Sequence, residues 1–179
     1  MNRSLVPIFF LISTLLFITG SLVAADETQA YVPETDPLTL ERLDNWQDMK
    51  FGLLMHWGPY SQWGIVESWS ICAEDEDWCR RKTDNYEEYK RAYEKLKKTF
   101  NPDRFDPHRW ADAAKQAGMR YMIFTTKHHD GFCMFDTRQT RYRITDEECP
   151  FSADPRADVT REIFDAFRAK NLWVGAYFS

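Results

Sequence analysis

ADAAKQAGMRYMIFTTKHHDGF, residues 111–132, sets the architecture. Gly118 closes a helical pattern that starts near Pro107, a residue suited to a first helical position. Tyr121 to Thr126 is a short apolar run, the mark of a buried strand. It opens into Lys127-His128-His129-Asp130-Gly131, where Asp-Gly is a good turn dipeptide. Helix, glycine, apolar strand and polar turn make one repeat of a parallel α/β sheet.

The same grammar extends both ways. Upstream, Phe51 to Trp57 is an apolar run stopped by Gly58-Pro59, and it predicts a first strand. Tyr60 to Lys82 is a long connection rich in Trp and Cys, and loops of that length in compact domains usually have a task. Asp84, with Glu87 three residues on, predicts the cap of a helix carrying Tyr86, Tyr89, Tyr93, Leu96 and Phe100 at helical spacing. Downstream, Asp158 to Lys170 predicts a helix with Val159, Ile163 and Phe167 on one stripe. Leu172 to Phe178 predicts the third strand. Short apolar strands alternating with helices indicate a parallel sheet covered by helices, whether open or closed into a barrel.

The ends differ in character. Arg3, the apolar run Leu5 to Ile18 and the small residues Val23-Ala24-Ala25 have the order of a secretory signal, here residues 1–25. The run is short for a bilayer span, which needs about 20 apolar residues. Residues 26–48 read as a leading arm, with a short helix over Thr39 to Met49, and residues 49–179 as the folded α/β domain.

The formal charge of -5 excludes a nucleic-acid or anionic-lipid footprint. Lys95, Lys97 and Lys98 lie beside acids and read as a solvated helix face. Seven Trp, eight Tyr and thirteen Phe suit either a core or flat apolar ligands such as sugars. Cys72, Cys79, Cys133 and Cys149 are even in number and allow three pairings, of which Cys72 with Cys79 around CAEDEDWC is preferred. No CxxC spacing points to zinc. The acids Glu74 to Asp77 lack the spacing and Gly of a calcium loop.

In parallel α/β folds the working residues sit at the carboxyl ends of strands. The first strand ends in His56, the second in His128-His129 and the third in Tyr177-Phe178-Ser179. Three of the four histidines therefore meet one sheet edge, and His108, at a helix start, is a surface residue. Each has a plain alternative: a core histidine, a polar turn, a core tyrosine. The coincidence of three strand ends favours a binding mouth. Adjacent histidines on a regular strand point to opposite faces and chelate poorly. Neutral imidazoles donate and accept, and indole and phenol faces suit a pyranose, so sugar is favoured over metal.

FGLLMHWGPYSQWG, FNPDRFDPHRWADAAKQAGMRYMIFTTKHHDGFCMFDT and GAYFS resemble the α-L-fucosidases of glycoside hydrolase family 29. The likeness runs from about Met49 to Ser179. KHHDGF is its most specific block. The resemblance implies the N-terminal part of a (β/α)8-like (TIM) barrel, with about three β/α units present, and a retaining exo-α-L-fucosidase acting on terminal α-L-fucose of glycans. It implies no metal and no cofactor, a fucosylated glycan as partner, export, and no membrane association after signal cleavage. Carried over by position, His56, His128 and His129 would bind fucose hydroxyls, and Tyr177 would line the pocket. The family's Glu-Trp pair appears here as Glu67-Ser68-Trp69, with Glu67 as the hydroxyl partner and Trp69 as the aromatic wall.

Retaining glycosidases generally use two carboxyl groups about 5–5.5 Å apart. In the family both lie beyond the third strand. A barrel of this kind takes about 250 residues, so the chain reads as the N-terminal piece of a longer enzyme, without nucleophile or acid/base. A non-catalytic carbohydrate-binding remnant and a metal-dependent hydrolase built on His56, His128 and His129 are the alternatives.

Overall fold

Met122 and Phe124, on one face of the central apolar run, are both 0% exposed, and the fold is organised around that face. The computed structural model describes residues 31–72, 79, 81 and 83–179. The apolar leader lies outside them, as does most of the acidic loop between Cys72 and Cys79. The described residues Tyr31 to Thr35 have no regular secondary structure and are exposed. The remaining body runs from Asp36 to Ser179.

The body holds helix α1 (Pro37–Met49), strand β1 (Gly52–Met55), helices α2 (Tyr86–Glu94) and α3 (Pro107–Gln116), strand β2 (Tyr121–Lys127), helix α4 (Val159–Ala169) and strand β3 (Trp173–Phe178). All three predicted strands form. They make one parallel sheet in the order β1-β2-β3. Helix α1 belongs to the compact body.

Register explains the layering. Leu53 faces Met122 and Met122 faces Val174 across the sheet. Side chains alternate along a strand, so these residues share one face. That face packs on Ala111 and Ala114 of α3 and on Ile163, Ala166 and Phe167 of α4, with Phe100, Phe105, Phe132 and Phe151 completing the core. The opposite face carries Leu54, Ile123 and Gly175, and Leu54 is 55% exposed. At the start of that face, the Tyr121 ring lies across Gly52 where any Cβ would overlap it.

The helix ends follow local chemistry. Asp106 and Asp158 cap α3 and α4, accepting from the N–H groups of Arg109 and Arg161. Gly118, at φ 82°, lets the chain leave α3. The cap of α2 is Asn85, not Asp84: its Oδ1 accepts from Glu88 N–H at 3.1 Å. An Asx side chain at either position could serve, and Asn85 is the one with extended backbone three residues before a free N–H.

Two sequence expectations fail here. Lys97 is buried, not solvated. Its Nζ lies 3.0 Å from Asp146 and 2.8 Å from Glu148, and it donates to the Arg141 carbonyl at 3.1 Å. Paired with two acids, the ammonium tolerates burial. Lys95 and Lys98 remain exposed. The Cys72–Cys79 bridge is not formed, and Cys72 keeps its thiol. A disulfide needs Cβ atoms about 3.5–4.5 Å apart in one narrow geometry. The Cys72 carbonyl accepts from the Arg81 guanidinium at 2.8 Å.

Candidate functional site

The carboxyl ends of the strands are pinned by two threonines of β2. Thr125 Oγ1 donates to the Met55 carbonyl at 2.7 Å, one residue before His56. Thr126 Oγ1 donates to the Tyr177 carbonyl at 3.1 Å. The strand that carries His128 and His129 thus fixes the backbone beside His56 and at Tyr177.

The rings converge as expected. Ring centres of His56 and His128 are 5.6 Å apart, and those of His56 and Tyr177 are 5.7 Å apart. Tyr177 stacks on His128 with planes 19° apart and centres 6.1 Å apart. Trp69 meets His129 edge to face at 4.7 Å. His108 is exposed in the first turn of α3.

Glu67 occupies the middle. Its backbone is in the left-handed region, φ 47°, which is uncommon for a non-glycine residue. That turn carries its carboxylate between the imidazoles. Oε1 is 3.2 Å from Nδ1 of His56, and Oε2 is 3.1 Å from Nε2 of His128. Trp69 Nε1–H donates to Oε2 at 3.1 Å. The residue between Glu67 and Trp69 therefore does not separate them: the indole closes back on the carboxylate. His56 Nδ1 is buried without a hydrogen-bond partner among the described residues, so its approach to Glu67 is close but not aligned.

Ser68 is the functional residue the sequence did not single out. It is fully buried, and its Oγ lies 2.5 Å from Nδ1 of His128. The same oxygen accepts from Asp130 N–H at 3.2 Å. Asp130 orients the turn: it accepts from Phe132 N–H at 3.0 Å and from the Tyr93 hydroxyl at 2.7 Å. Burial pushes the Asp130 carboxyl up, against those hydrogen bonds. The only advance signal for Ser68 was its place inside Glu67-Ser68-Trp69. On the far side, Ser179 Oγ is 2.9 Å from Nδ1 of His129.

The electrostatics favour neutral ligands. Burial lowers the His128 pKa to about 4; Glu67 opposes this, and His129, His56 and Lys127 add to it. At neutral pH the ring is an uncharged donor and acceptor, suited to hydroxyls. Among the described residues, His56, Glu67 and His128 are the group whose donor atoms converge closely enough for a metal ion. His129 is not in it, so the alternative metal set of His56, His128 and His129 is not the one that converges; Glu67 takes the place of His129. The cavity lined by Asn45, Lys115, Arg120 and Trp173 lies at the amino ends of the strands, away from these rings.

The family model described as Alpha-L-fucosidase matches residues 19–179. A putative alpha-L-fucosidase of Caenorhabditis elegans is 32% identical over 177 residues, covering 95% of this chain and 34% of that protein. Human tissue alpha-L-fucosidase is 27% identical, covering 99% of this chain and 38% of its own length. The chain thus spans about a third of the length of the curated relatives it matches. Among solved structures, alpha-L-fucosidase isoenzyme 1 from Paenibacillus thiaminolyticus is 39% identical with a TM-score of 0.57, over 77% of this chain and 28% of that one. A Lactobacillus casei alpha-L-fucosidase in complex with alpha-L-fucose is 29% identical with a TM-score of 0.57, over 78% of this chain and 41% of that one.

Proposed function

The chain belongs to the alpha-L-fucosidase family, and from that premise we propose that residues 31–179 form the sugar-binding part of a retaining exo-α-L-fucosidase. One observation carries the proposal: His56, Glu67, Trp69, His128, His129 and Tyr177, from four separate segments, meet at the carboxyl end of one parallel sheet. In this reading the three strands are part of a (β/α)8-like barrel, and the mouth takes a terminal α-L-fucose of a glycan.

The roles follow from chemistry. His128, neutral and held by Ser68, exchanges hydrogen bonds with sugar hydroxyls. His56 and His129 do the same from either side. Trp69 and Tyr177 offer faces to the apolar side of the ring. Glu67 accepts from a hydroxyl while Trp69 Nε1–H holds it in place.

Hydrolysis with retention needs a nucleophile and an acid/base about 5–5.5 Å apart. We assign neither role within residues 31–179. Glu67 is committed to Trp69 Nε1–H and lies between His56 and His128, and Asp130 is committed to Tyr93 and the Phe132 N–H. Both catalytic carboxyls would come from elsewhere in the enzyme. A carboxylate would attack the anomeric carbon, and the acid would protonate the leaving oxygen.

The leader, residues 1–25, is proposed as an export signal. Among the described residues no helix is long and apolar enough to cross a membrane. N-terminal sequencing of the expressed protein should begin at Asp26.

Calorimetric titration of the chain with L-fucose tests the function. Saturable heat that disappears in His129→Ala supports it. Absence of heat from a chain whose circular dichroism shows the folded α/β signal overturns it.

A further inference from the structure

We infer that His56, Glu67 and His128 also form a binding site for a divalent transition-metal ion such as Zn2+, in the same mouth proposed for the sugar. The inference rests on three features of these residues.

The first is spacing. Zinc binds histidine nitrogen and carboxylate oxygen at about 2.0–2.2 Å, which sets neighbouring tetrahedral donors about 3.4 Å apart. Here the carboxylate oxygens lie 3.2 Å from His56 Nδ1 and 3.1 Å from His128 Nε2. One ligand atom from each residue falls within 4.8 Å of the others.

The second is direction. His56 Nδ1 is buried and has no hydrogen-bond partner among the described residues, although a carboxylate oxygen is close. The nitrogen and the oxygen approach without pointing at each other. A lone pair aimed beside its neighbour is what a shared cation would use. The hydrogen bond of His128 is on its other nitrogen, to Ser68.

The third is the outer shell. Metal-bound histidines usually donate their second N–H to a carboxylate, carbonyl or water, which fixes ring and tautomer. Ser68 Oγ can accept from His128 Nδ1–H in this way, because a hydroxyl oxygen has two lone pairs and the Asp130 N–H uses one. The site is also reachable: the side chains of His56 and Glu67 keep 25% and 24% exposure. Two histidines and one carboxylate with an open fourth position is a known zinc donor set.

Because Glu67 and both histidines serve the sugar in the proposed function, metal and L-fucose should exclude each other. That last clause depends on the sugar reading, whereas the metal site does not.

The test is titration of the chelator-treated chain with ZnCl2 at pH 7.5, followed by calorimetry, and with CoCl2, followed by visible absorption. One equivalent per chain is expected, with cobalt bands of a four- or five-coordinate site. Affinity should fall at least about tenfold in both His56→Ala and Glu67→Gln. His108→Ala, a surface histidine at the start of α3, should bind as the parent does. Glu67→Gln is nearly isosteric, so it reads the site even where His56→Ala loses structure. No saturation below about 1 mM Zn2+, or parent-like affinity in both variants, overturns the site. Zinc-loaded chain that still binds L-fucose with undiminished affinity overturns the exclusion. Zinc binding in a chain that takes no L-fucose at all removes the sugar reading and leaves the metal site standing.

Discussion

Ser68 Oγ sits 2.5 Å from Nδ1 of His128, joining the long connection after β1 to the turn after β2 across 60 positions of chain. Both side chains are buried. The contact explains how an imidazole can be held at the centre of the mouth without a charge of its own.

Ser68→Ala removes that partner and leaves Nδ1 buried and unsatisfied. The Asp130 N–H loses its acceptor as well. An unpaired buried polar group costs about 1–3 kcal/mol. Urea unfolding should show a loss in that range, with the midpoint shifted and the slope unchanged. L-fucose should bind more weakly in the same variant. A variant as stable as the parent would mean that the hydroxyl does not hold the ring.

The threonine pins make a separate case. Thr125 is nearly fully buried and donates to the carbonyl just ahead of His56. Thr125→Val keeps shape and β-branching but removes this donor to the Met55 carbonyl. The expected loss is about 1–2 kcal/mol by urea unfolding. Thr126→Val should act on the β3 side, through the Tyr177 carbonyl at 3.1 Å. The two effects should be roughly additive, because the pins hold different strands.

How far the sequence reaches depends on the range of the interaction. The strands were legible because each is a short apolar run stopped by Gly, Pro or a polar turn, and such signals are local. His56, His128, His129 and Tyr177 were legible because parallel sheets present strand ends together. Lys97 was misread because its acidic partners, Asp146 and Glu148, lie about fifty residues downstream and nothing beside it announces burial. Ser68 was passed over for the same reason: its partner is on another strand end. The Asn85 cap was displaced by one residue because Asp84 is an equally good capper and only backbone geometry chooses between them.

Acid should weaken the fold through two groups in separate windows. The folded pKa of His128 is about 4 against an ordinary 6.5, so between those values the unfolded chain binds more protons. Stability therefore falls as pH drops from about 6.5 to about 4, by at most one proton, about 1.4 kcal/mol per pH unit. Asp146 follows at lower pH. Burial alone would raise its carboxyl, but Arg141 and Lys97 bring it down to about 2 from 3.8. Its stabilisation is present above 3.8 and is lost as pH falls toward 2. Urea midpoints measured from pH 7 to pH 2 should show the first loss in the parent and its absence in His128→Gln. Lys97→Met should reduce the second loss without changing the first.

The last prediction concerns the amino end of the sheet. Gly52 and Tyr121 are register partners, and the Tyr121 ring covers the position a Cβ at residue 52 would occupy. Moving the ring also disturbs its edge-to-face contact with Trp46 of α1, at 6.1 Å. Gly52→Ala should therefore cost about 1–3 kcal/mol, the usual range for overpacking. An ordinary glycine-to-alanine change in a strand would run the other way, since glycine is the weaker strand former. The double variant Gly52→Ala, Tyr121→Ala separates the two explanations. If the ring is the obstacle, adding the alanine at residue 52 should cost nothing once the ring is gone, and the cycle should give a coupling of about 1 kcal/mol or more. A cost that persists in the Tyr121→Ala background would place the constraint in the backbone instead.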